Sequence, residues 1–150
     1  MNLSKKRRLA LQKVYNGRYG KHYSSRAGCF YCGQIGTTLD HCPPIAFCDD
    51  KNFDWFKERK IGFYLVNSCN ECNQKLSNKP LFHLEERAEF ILKCLELKAD
   101  KAVIWGDDEI QEMSKTFQKM IIARKLQQNV LFDRIRFCQE LLTRQEDFPA

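Results

Sequence analysis

Apolar residues gather in two short, strand-like stretches in the first half of the chain. Residues 62–67, with the sequence Gly-Phe-Tyr-Leu-Val-Asn, are aromatic and β-branched and have the strongest strand character. Residues 36–41 form a second such stretch, and prolines that cannot continue a strand ladder follow closely. The pattern predicts two strands, with a helical turn over residues 52–59 between them.

The second half of the chain has the apolar period of helices. One stripe runs from Ala88 through Ile91, Leu92 and Leu95 to Ala99. No Gly or Pro interrupts residues 107–147, so this segment is predicted as two helices or one bent helix, capped by Asp107 or Asp108. Shorter helices are predicted over residues 3–15 and from residue 73 to a point before Pro80. Further apolar stripes contain these residues: Ile110, Met113, Phe117 and Ile121, then Leu131, Ile135, Cys138 and Leu142.

Composition and charge narrow this picture. With 150 residues, 43% of them hydrophobic, the chain is predicted to form one domain with a packed core. The net charge of +6 is uneven, because the first 26 residues contain eight basic side chains and no acidic one. Such an arm suits a polyanion such as DNA, and a solubilising terminus is the alternative. The basic residues are Lys5, Lys6, Arg7, Arg8, Lys13, Arg18, Lys21 and Arg26.

No targeting segment is evident. The basic run at residues 5–8 is not followed by an apolar region of the kind found in signal peptides. The longest apolar runs, such as residues 102–105, are too short to span a bilayer. We therefore expect a cytoplasmic protein without a membrane partner.

Four of the eight cysteines form two pairs, Cys29-Phe-Tyr-Cys32 and Cys69-Asn-Glu-Cys72. A disulfide framework would need an oxidising compartment, and a thioredoxin-like motif would need only one pair. A four-cysteine zinc site uses both pairs at once, and Gly33 suits the turn beneath the first. We predict one structural zinc ion held by these four residues. The other cysteines have no ligand spacing, and the last two are predicted to be core residues: Cys42, Cys48, Cys94 and Cys138.

The order of the motifs carries more information than any one of them. The first cysteine pair, a strand, Asp40-His41 with Pro44, a second strand and the second pair follow one another, and Asn73 comes directly after Cys72. This order resembles the HNH, or His-Me finger, endonucleases that carry a four-cysteine zinc, most closely the recombination endonuclease VII type found in phages. The resemblance covers about residues 28–80. It implies an α+β fold with a small ββα-metal core, flanked by the basic arm (1–27) and a helical C-terminal region (81–150).

The resemblance also implies roles for particular residues. His41 would be the general base, and Asp40 and Asn73 would bind one catalytic Mg²⁺ or Mn²⁺ ion through oxygen atoms. A turn histidine and a helix N-cap are the plain structural alternatives for His41 and Asn73. Tyr64 stands where many HNH enzymes have a middle Asn, and Pro43 stands where some have a second His. The His41 ring would then be held by Asn67 or by a backbone carbonyl.

Two functions from different classes follow. The first is a metal-dependent endonuclease that hydrolyses phosphodiester bonds in DNA, with RNA not excluded as a substrate. The second is a zinc-stabilised nucleic-acid-binding or scaffold protein without catalysis, which the departures at Tyr64 and Pro43 favour. A redox protein is disfavoured by the order of the motifs. The long C-terminal stripes predict assembly into a homodimer or a larger complex, such as a phage or phage-defence system.

Overall fold

The computed structural model of the chain describes Lys5 and residues 19–21, 28–101 and 106–149. Within these ranges the fold is α+β, as predicted, with a small sheet and a larger helical part. Two short 3-10 turns, Ile45–Phe47 and Gln145–Asp147, complete the regular structure. In chain order, the strands and helices are β1 (Gly20–Lys21), β2 (Thr38–Cys42), α1 (Asp50–Glu58), β3 (Tyr64–Ser68), α2 (Asn70–Leu76), α3 (Leu84–Asp100), α4 (Asp107–Gln111) and α5 (Lys115–Thr143).

The sheet has three strands in the order β1-β3-β2. Strands β2 and β3 form the antiparallel hairpin, with Thr38 opposite Ser68 and Cys42 opposite Tyr64. Both strands were predicted, and each lies one or two residues further along the chain than expected. The parallel strand β1, which places Gly20 opposite Tyr64, was not predicted, because two residues carry no periodic pattern.

The helical turn predicted between the strands is the nine-residue helix α1. Asp49 precedes it, and its side chain accepts a hydrogen bond of 2.7 Å from the backbone N–H of Asn52. This bond satisfies one of the unpaired donors of the first helical turn. The helix therefore begins two residues before the predicted segment.

The segment from residue 107 onwards contains two helices, α4 and α5. The side chain of Ser114 accepts a hydrogen bond of 3.3 Å from the backbone N–H of Phe117 and caps α5. The predicted caps are wrong, because Asp107 and Asp108 lie in the first turn of α4 and Gly106 occupies its N-cap position. The first predicted stripe is divided by the break between α4 and α5, because Ile110 lies in α4, Met113 lies between the helices, and Phe117 and Ile121 lie in α5. The second stripe belongs to α5, whose 29 residues span about 44 Å.

Helices α3 and α5 pack against each other and against the hairpin. The thiol of Cys138 on α5 donates a hydrogen bond of 3.3 Å to the backbone carbonyl of Ala88 on α3. As predicted, Cys138 is fully buried, whereas Cys94 is half-buried. One cluster of buried residues joins both cysteine pairs, the hairpin and these helices. The predicted core region (28–80) and the predicted C-terminal region (81–150) therefore contribute to the same hydrophobic cluster.

One side of α5 carries exposed apolar residues. Ile122, Leu126 and Val130 follow each other at intervals of four residues, and each is about half exposed. Residues at this spacing lie on one side of a helix. The predicted assembly through the C-terminal helices stays a prediction, and this side of α5 is its natural candidate.

Most of the basic arm lies outside the described residues. This applies to the helix predicted over residues 3–15 and to six of the eight basic residues. Lys5 is exposed, and Lys21 belongs to β1. Among the described helices, none is both long enough and apolar enough to cross a membrane.

Candidate metal centre and the hairpin around it

The four predicted cysteine ligands come together at one end of the hairpin. The sulfur atoms of Cys29, Cys32, Cys69 and Cys72 all lie within 4.8 Å of one another. Those of Cys32 and Cys69 are 3.7 Å apart. A tetrahedral zinc site with Zn–S bonds of about 2.3 Å requires sulfur atoms about 3.8 Å apart, so this donor set fits the ion. The cluster could hold a metal ion such as zinc.

Local backbone structure shapes the first knuckle. The N–H of Gly33 donates a hydrogen bond of 2.9 Å to the carbonyl of Cys29, and the N–H of Phe30 donates one of 2.8 Å to the carbonyl of Asn67. Gly33 has a φ of 77°, and a Cβ atom there would come within 2.6 Å of the Phe137 ring. The turn therefore requires glycine both for its backbone conformation and for its contact with α5.

The second knuckle is the start of α2. Cys69 is the N-cap residue, and its sulfur atom accepts a hydrogen bond of 3.4 Å from the backbone N–H of Cys72. The partial positive charge of a helix N-terminus favours a thiolate at this position. Because Cys69 caps the helix, α2 begins three residues earlier than predicted, and Asn73 is an interior residue rather than an N-cap.

The four thiols do not share protons equally. A hydrogen bond with Cys32 lowers the pKa of Cys29 to about 6. Hydrogen bonds with Cys29 raise the pKa of Cys32 and of Cys72 above the usual value of a thiol. A divalent cation that displaces these protons would bind all four sulfur atoms as thiolates. Four sulfur ligands close the coordination shell of zinc and leave no position for water, which makes the site structural.

Asp40 is buried beside the core and is fully engaged. Arg87 of α3 donates two hydrogen bonds to its carboxylate, from Nη2 to Oδ1 at 2.5 Å and from Nε to Oδ2 at 2.9 Å. The Tyr31 hydroxyl also donates to Oδ2, at 2.5 Å. The carboxylate is only 3% exposed and the Arg87 side chain is fully buried. Both oxygen atoms of Asp40 are therefore occupied by protein donors.

Charge stabilises this arrangement. Burial disfavours the charged form of Arg87, but the Asp40 carboxylate outweighs that effect and raises the pKa of the guanidinium. Burial, assisted by the charge of Asp40, raises the pKa of the Tyr31 hydroxyl. Arg87 also donates a hydrogen bond of 3.1 Å from Nη1 to the carbonyl of Leu81. The three side chains form a charge-neutral network in which each donor keeps its proton.

Asn73 lies on the same face of the hairpin as Asp40. Side chains two residues apart in a strand share a face, so Thr38 and Asp40 both point towards the helices. The amide nitrogen of Asn73 donates a hydrogen bond of 3.1 Å to the Thr38 hydroxyl. This bond uses Nδ2 and leaves Oδ1 as the Asn73 atom suited to a cation.

His41 lies on the other face, because neighbouring side chains in a strand alternate. Its ring meets that of Tyr19 edge to face, with centroids 5.0 Å apart. The predicted support of this ring by Asn67 or by a backbone carbonyl stays a prediction. Burial lowers the pKa of His41 below its ordinary value, so the imidazole is neutral at pH 7.

The predicted catalytic residues are thus divided between two faces. Asp40 and Asn73 share one face, whereas His41 occupies the opposite one beside Tyr19. In this conformation the donor set does not fit a divalent ion, because Arg87 and Tyr31 occupy both Asp40 oxygens. Ion binding at Asp40 would require Arg87 to release it.

Sequence reasoning missed Tyr31, Arg87 and a second buried arginine, Arg134. Arg134 is on α5, and its Nη2 lies 3.7 Å from the sulfur atom of Cys72. Its Nη1 donates a hydrogen bond of 2.7 Å to Glu71. The metal centre is therefore contacted by a cation from the far end of the chain.

Comparisons of the chain with protein-family models, with curated proteins and with solved structures found no match.

Proposed function

We propose that this chain is a metal-dependent endonuclease of the His-Me finger type that hydrolyses phosphodiester bonds in DNA. The observation that supports it best is the unit formed by β2, β3 and α2, tied at one end by four thiols. Within this unit the Asn73 amide is held on the Asp40 face of β2. The order of two antiparallel strands followed by a helix supports the proposal, because it is the order expected of a ββα-metal core.

In this proposal His41 removes a proton from the attacking water. A neutral imidazole is the form that can accept a proton, and the lowered pKa of His41 keeps it neutral at physiological pH. Asp40 and Asn73 would hold a Mg²⁺ or Mn²⁺ ion, whose charge stabilises the oxygen that leaves the phosphate. Binding of that ion would require the Arg87–Asp40 pair to open.

DNA is the proposed substrate because of the charge of the chain. Eight basic residues and no acidic ones lie in the first 26 positions, which suits contact with phosphates rather than with bases. RNA offers the same phosphates and stays an alternative substrate.

The test is a cleavage assay with and without divalent ions. Supercoiled plasmid and labelled linear, branched and single-stranded DNA and RNA are incubated with Mg²⁺, Mn²⁺ or neither. The ion is omitted rather than chelated, so that the cysteine site is undisturbed. We expect cleavage only with the ion, and His41→Ala should lower the rate about 10²–10⁴-fold.

His83→Ala is the matched control. His83 is exposed and makes no side-chain capping bond at the start of α3, so the variant should cleave at the wild-type rate. Equal cleavage by His41→Ala and wild type, with equal zinc content, would rule out His41 as the base. Absence of cleavage under every condition would rule out the nuclease.

The second candidate is a nucleic-acid-binding protein without catalysis. It is favoured by the Asp40–Arg87–Tyr31 network, which gives Asp40 a complete set of partners without a metal ion. Its signature is salt-dependent DNA binding by a folded, zinc-loaded protein that cleaves nothing with any divalent ion.

A further inference from the structure

The surroundings of Arg134 pose an electrostatic problem. Its side chain is only 8% exposed, yet it carries a full positive charge. Its two hydrogen-bond acceptors are Glu71, at 2.7 Å, and the sulfur atom of Cys72, at 3.7 Å. The buried Nε has no hydrogen-bond partner among the described residues. Burying a charge costs free energy unless opposite charge compensates for it.

Glu71 compensates for that charge only in part. Its side chain is 41% exposed, and it also accepts a hydrogen bond of 3.3 Å from Lys98 of α3. The carboxylate is therefore shared between two cations and screened by solvent. A further source of negative charge is needed close to the guanidinium.

The cysteine cluster supplies that charge when it holds an ion. All four ligands are then thiolates, and four thiolates around a divalent cation have a net charge of −2. Arg134 lies against this cluster through Cys72. The cation is thus well matched to the metal-bound cluster.

We propose that Arg134 is an outer-sphere partner of the metal centre that compensates its negative charge and slows release of the ion. Its Nη2 donates to the Cys72 sulfur while its Nη1 holds Glu71, a geometry that one planar guanidinium can provide and one ammonium group cannot. This role depends on the cysteine cluster holding a divalent ion and is independent of DNA cleavage.

The experiment measures transfer of zinc from the full-length protein to an excess of a chelating dye. Arg134→Gln removes the charge at the metal centre. Arg136→Gln, an exposed arginine two residues further along α5, is the matched control. Outer-sphere partners typically contribute a factor of 10–100 to metal affinity, so transfer of zinc to the dye should be about 10–100-fold faster from Arg134→Gln and unchanged from Arg136→Gln.

Three further variants distinguish this role from a simple ion pair with Glu71. Glu71→Gln keeps the cation beside Cys72, so zinc should be released no faster than from wild type. Arg134→Lys restores a charge without the bidentate geometry and should release zinc more slowly than Arg134→Gln. Lys98→Ala should match wild type, because Lys98 contacts Glu71 and lies outside the contact with sulfur.

Several results would overturn the proposal. Equal zinc release from wild type and Arg134→Gln would do so, as would equal acceleration in Glu71→Gln and Arg134→Gln. If Arg134→Gln fails to fold, Arg134→Lys and Glu71→Gln decide by the same readout. A folded wild-type protein without zinc would overturn both this role and the metal centre, whereas loss of cleavage alone would bear only on the nuclease.

Discussion

Two buried arginines, on different helices, face the hairpin at different points. Arg87 meets Asp40 through two hydrogen bonds, and the pair is neutral without any further partner. Arg134 meets a partly exposed carboxylate, Glu71, and the sulfur of a cysteine cluster that could hold a metal ion. The two sites therefore differ in what compensates the buried cation: one buried carboxylate for Arg87, and a shared carboxylate together with the cysteine cluster for Arg134.

This difference separates two kinds of stability. The network at Asp40 is part of the packed core and contributes under every condition. The cysteine end of the hairpin contributes most when an ion binds four thiolates and neutralises their repulsion. Substitutions in the Asp40 network and in the cysteine cluster test whether the two sites stabilise the protein in these different ways.

The largest effect is expected from loss of a metal ligand. Cys29→Ser removes one of four sulfur donors, so zinc should be absent and the hairpin should unfold. Binding of a structural zinc is worth about 10–16 kcal/mol, which equals or exceeds the total stability of a typical domain, about 5–15 kcal/mol. Native mass spectrometry and circular dichroism measure both outcomes. Cys94→Ser, which changes a cysteine outside the cluster, should keep zinc and fold. A folded, zinc-free Cys29→Ser protein would contradict the claim that a bound ion stabilises the cysteine end of the hairpin.

A smaller but still large effect is expected at the other arginine. Arg87→Met leaves the buried Asp40 carboxylate without its partner and should cost about 3–5 kcal/mol of unfolding free energy, measured by urea titration. Asp40→Leu combined with Arg87→Met removes both charges and should recover most of that loss. Zinc content should stay at wild-type level in both variants. If the double variant is as unstable as the single one, the two charges are not coupled.

The smallest effect is expected from protonation of His41. Its pKa is lower in the native state than in the unfolded chain, so the unfolded chain takes up the proton first as pH falls. The free energy of unfolding should therefore fall as pH decreases from about 6.5 through the native pKa of His41. The slope from this residue should be no more than about 1.4 kcal/mol per pH unit. His41→Gln should remove that part of the pH dependence, and the exposed His83→Gln should keep it. The measurement is urea unfolding between pH 7.5 and the lowest pH at which zinc is retained. Identical slopes for wild type and His41→Gln would show that burial does not perturb this ring.

Local patterns account for what could be predicted from the sequence. The cysteine spacing identified all four members of the cluster, because each knuckle is a local pair three residues apart and a second such pair indicates a shared ion. The β-branched and aromatic runs identified β2 and β3. The break before α5 has no glycine or proline to mark it, but Ser114 was the available signal, since serine is a favoured N-cap residue.

Long-range pairs could not be predicted in this way. Arg87 lies three residues after Leu84 and four before Ile91, so it interrupts an apolar stripe. Arg134 has the same relation to Leu131 and Cys138 on α5. A charge at such a position signals a buried partner, but it does not say which. Here the partners are 47 and 62 residues away.

The placement of His41 needed the structure for a different reason. Asp40 and His41 were predicted from the sequence to serve one site. Strand β2 continues through both residues in regular register with β3, and regular pairing turns neighbours to opposite faces. The hairpin register, rather than the identity of either residue, separates them.

The contact between the first knuckle and the end of the chain affects how the protein is made. The ring of Phe30, between the first two cysteines, packs edge to face against that of Phe148, 5.9 Å away between centroids. Both cysteine pairs precede in the chain the helices α3 and α5 that pack over them, so they are synthesised first. At about 5–20 residues per second, the segment from Cys72 to the end of α5 takes roughly 4–14 s to be made. Thiols that are not yet covered are open both to zinc and to oxidants, so we expect zinc supplied during synthesis to raise the yield of native protein.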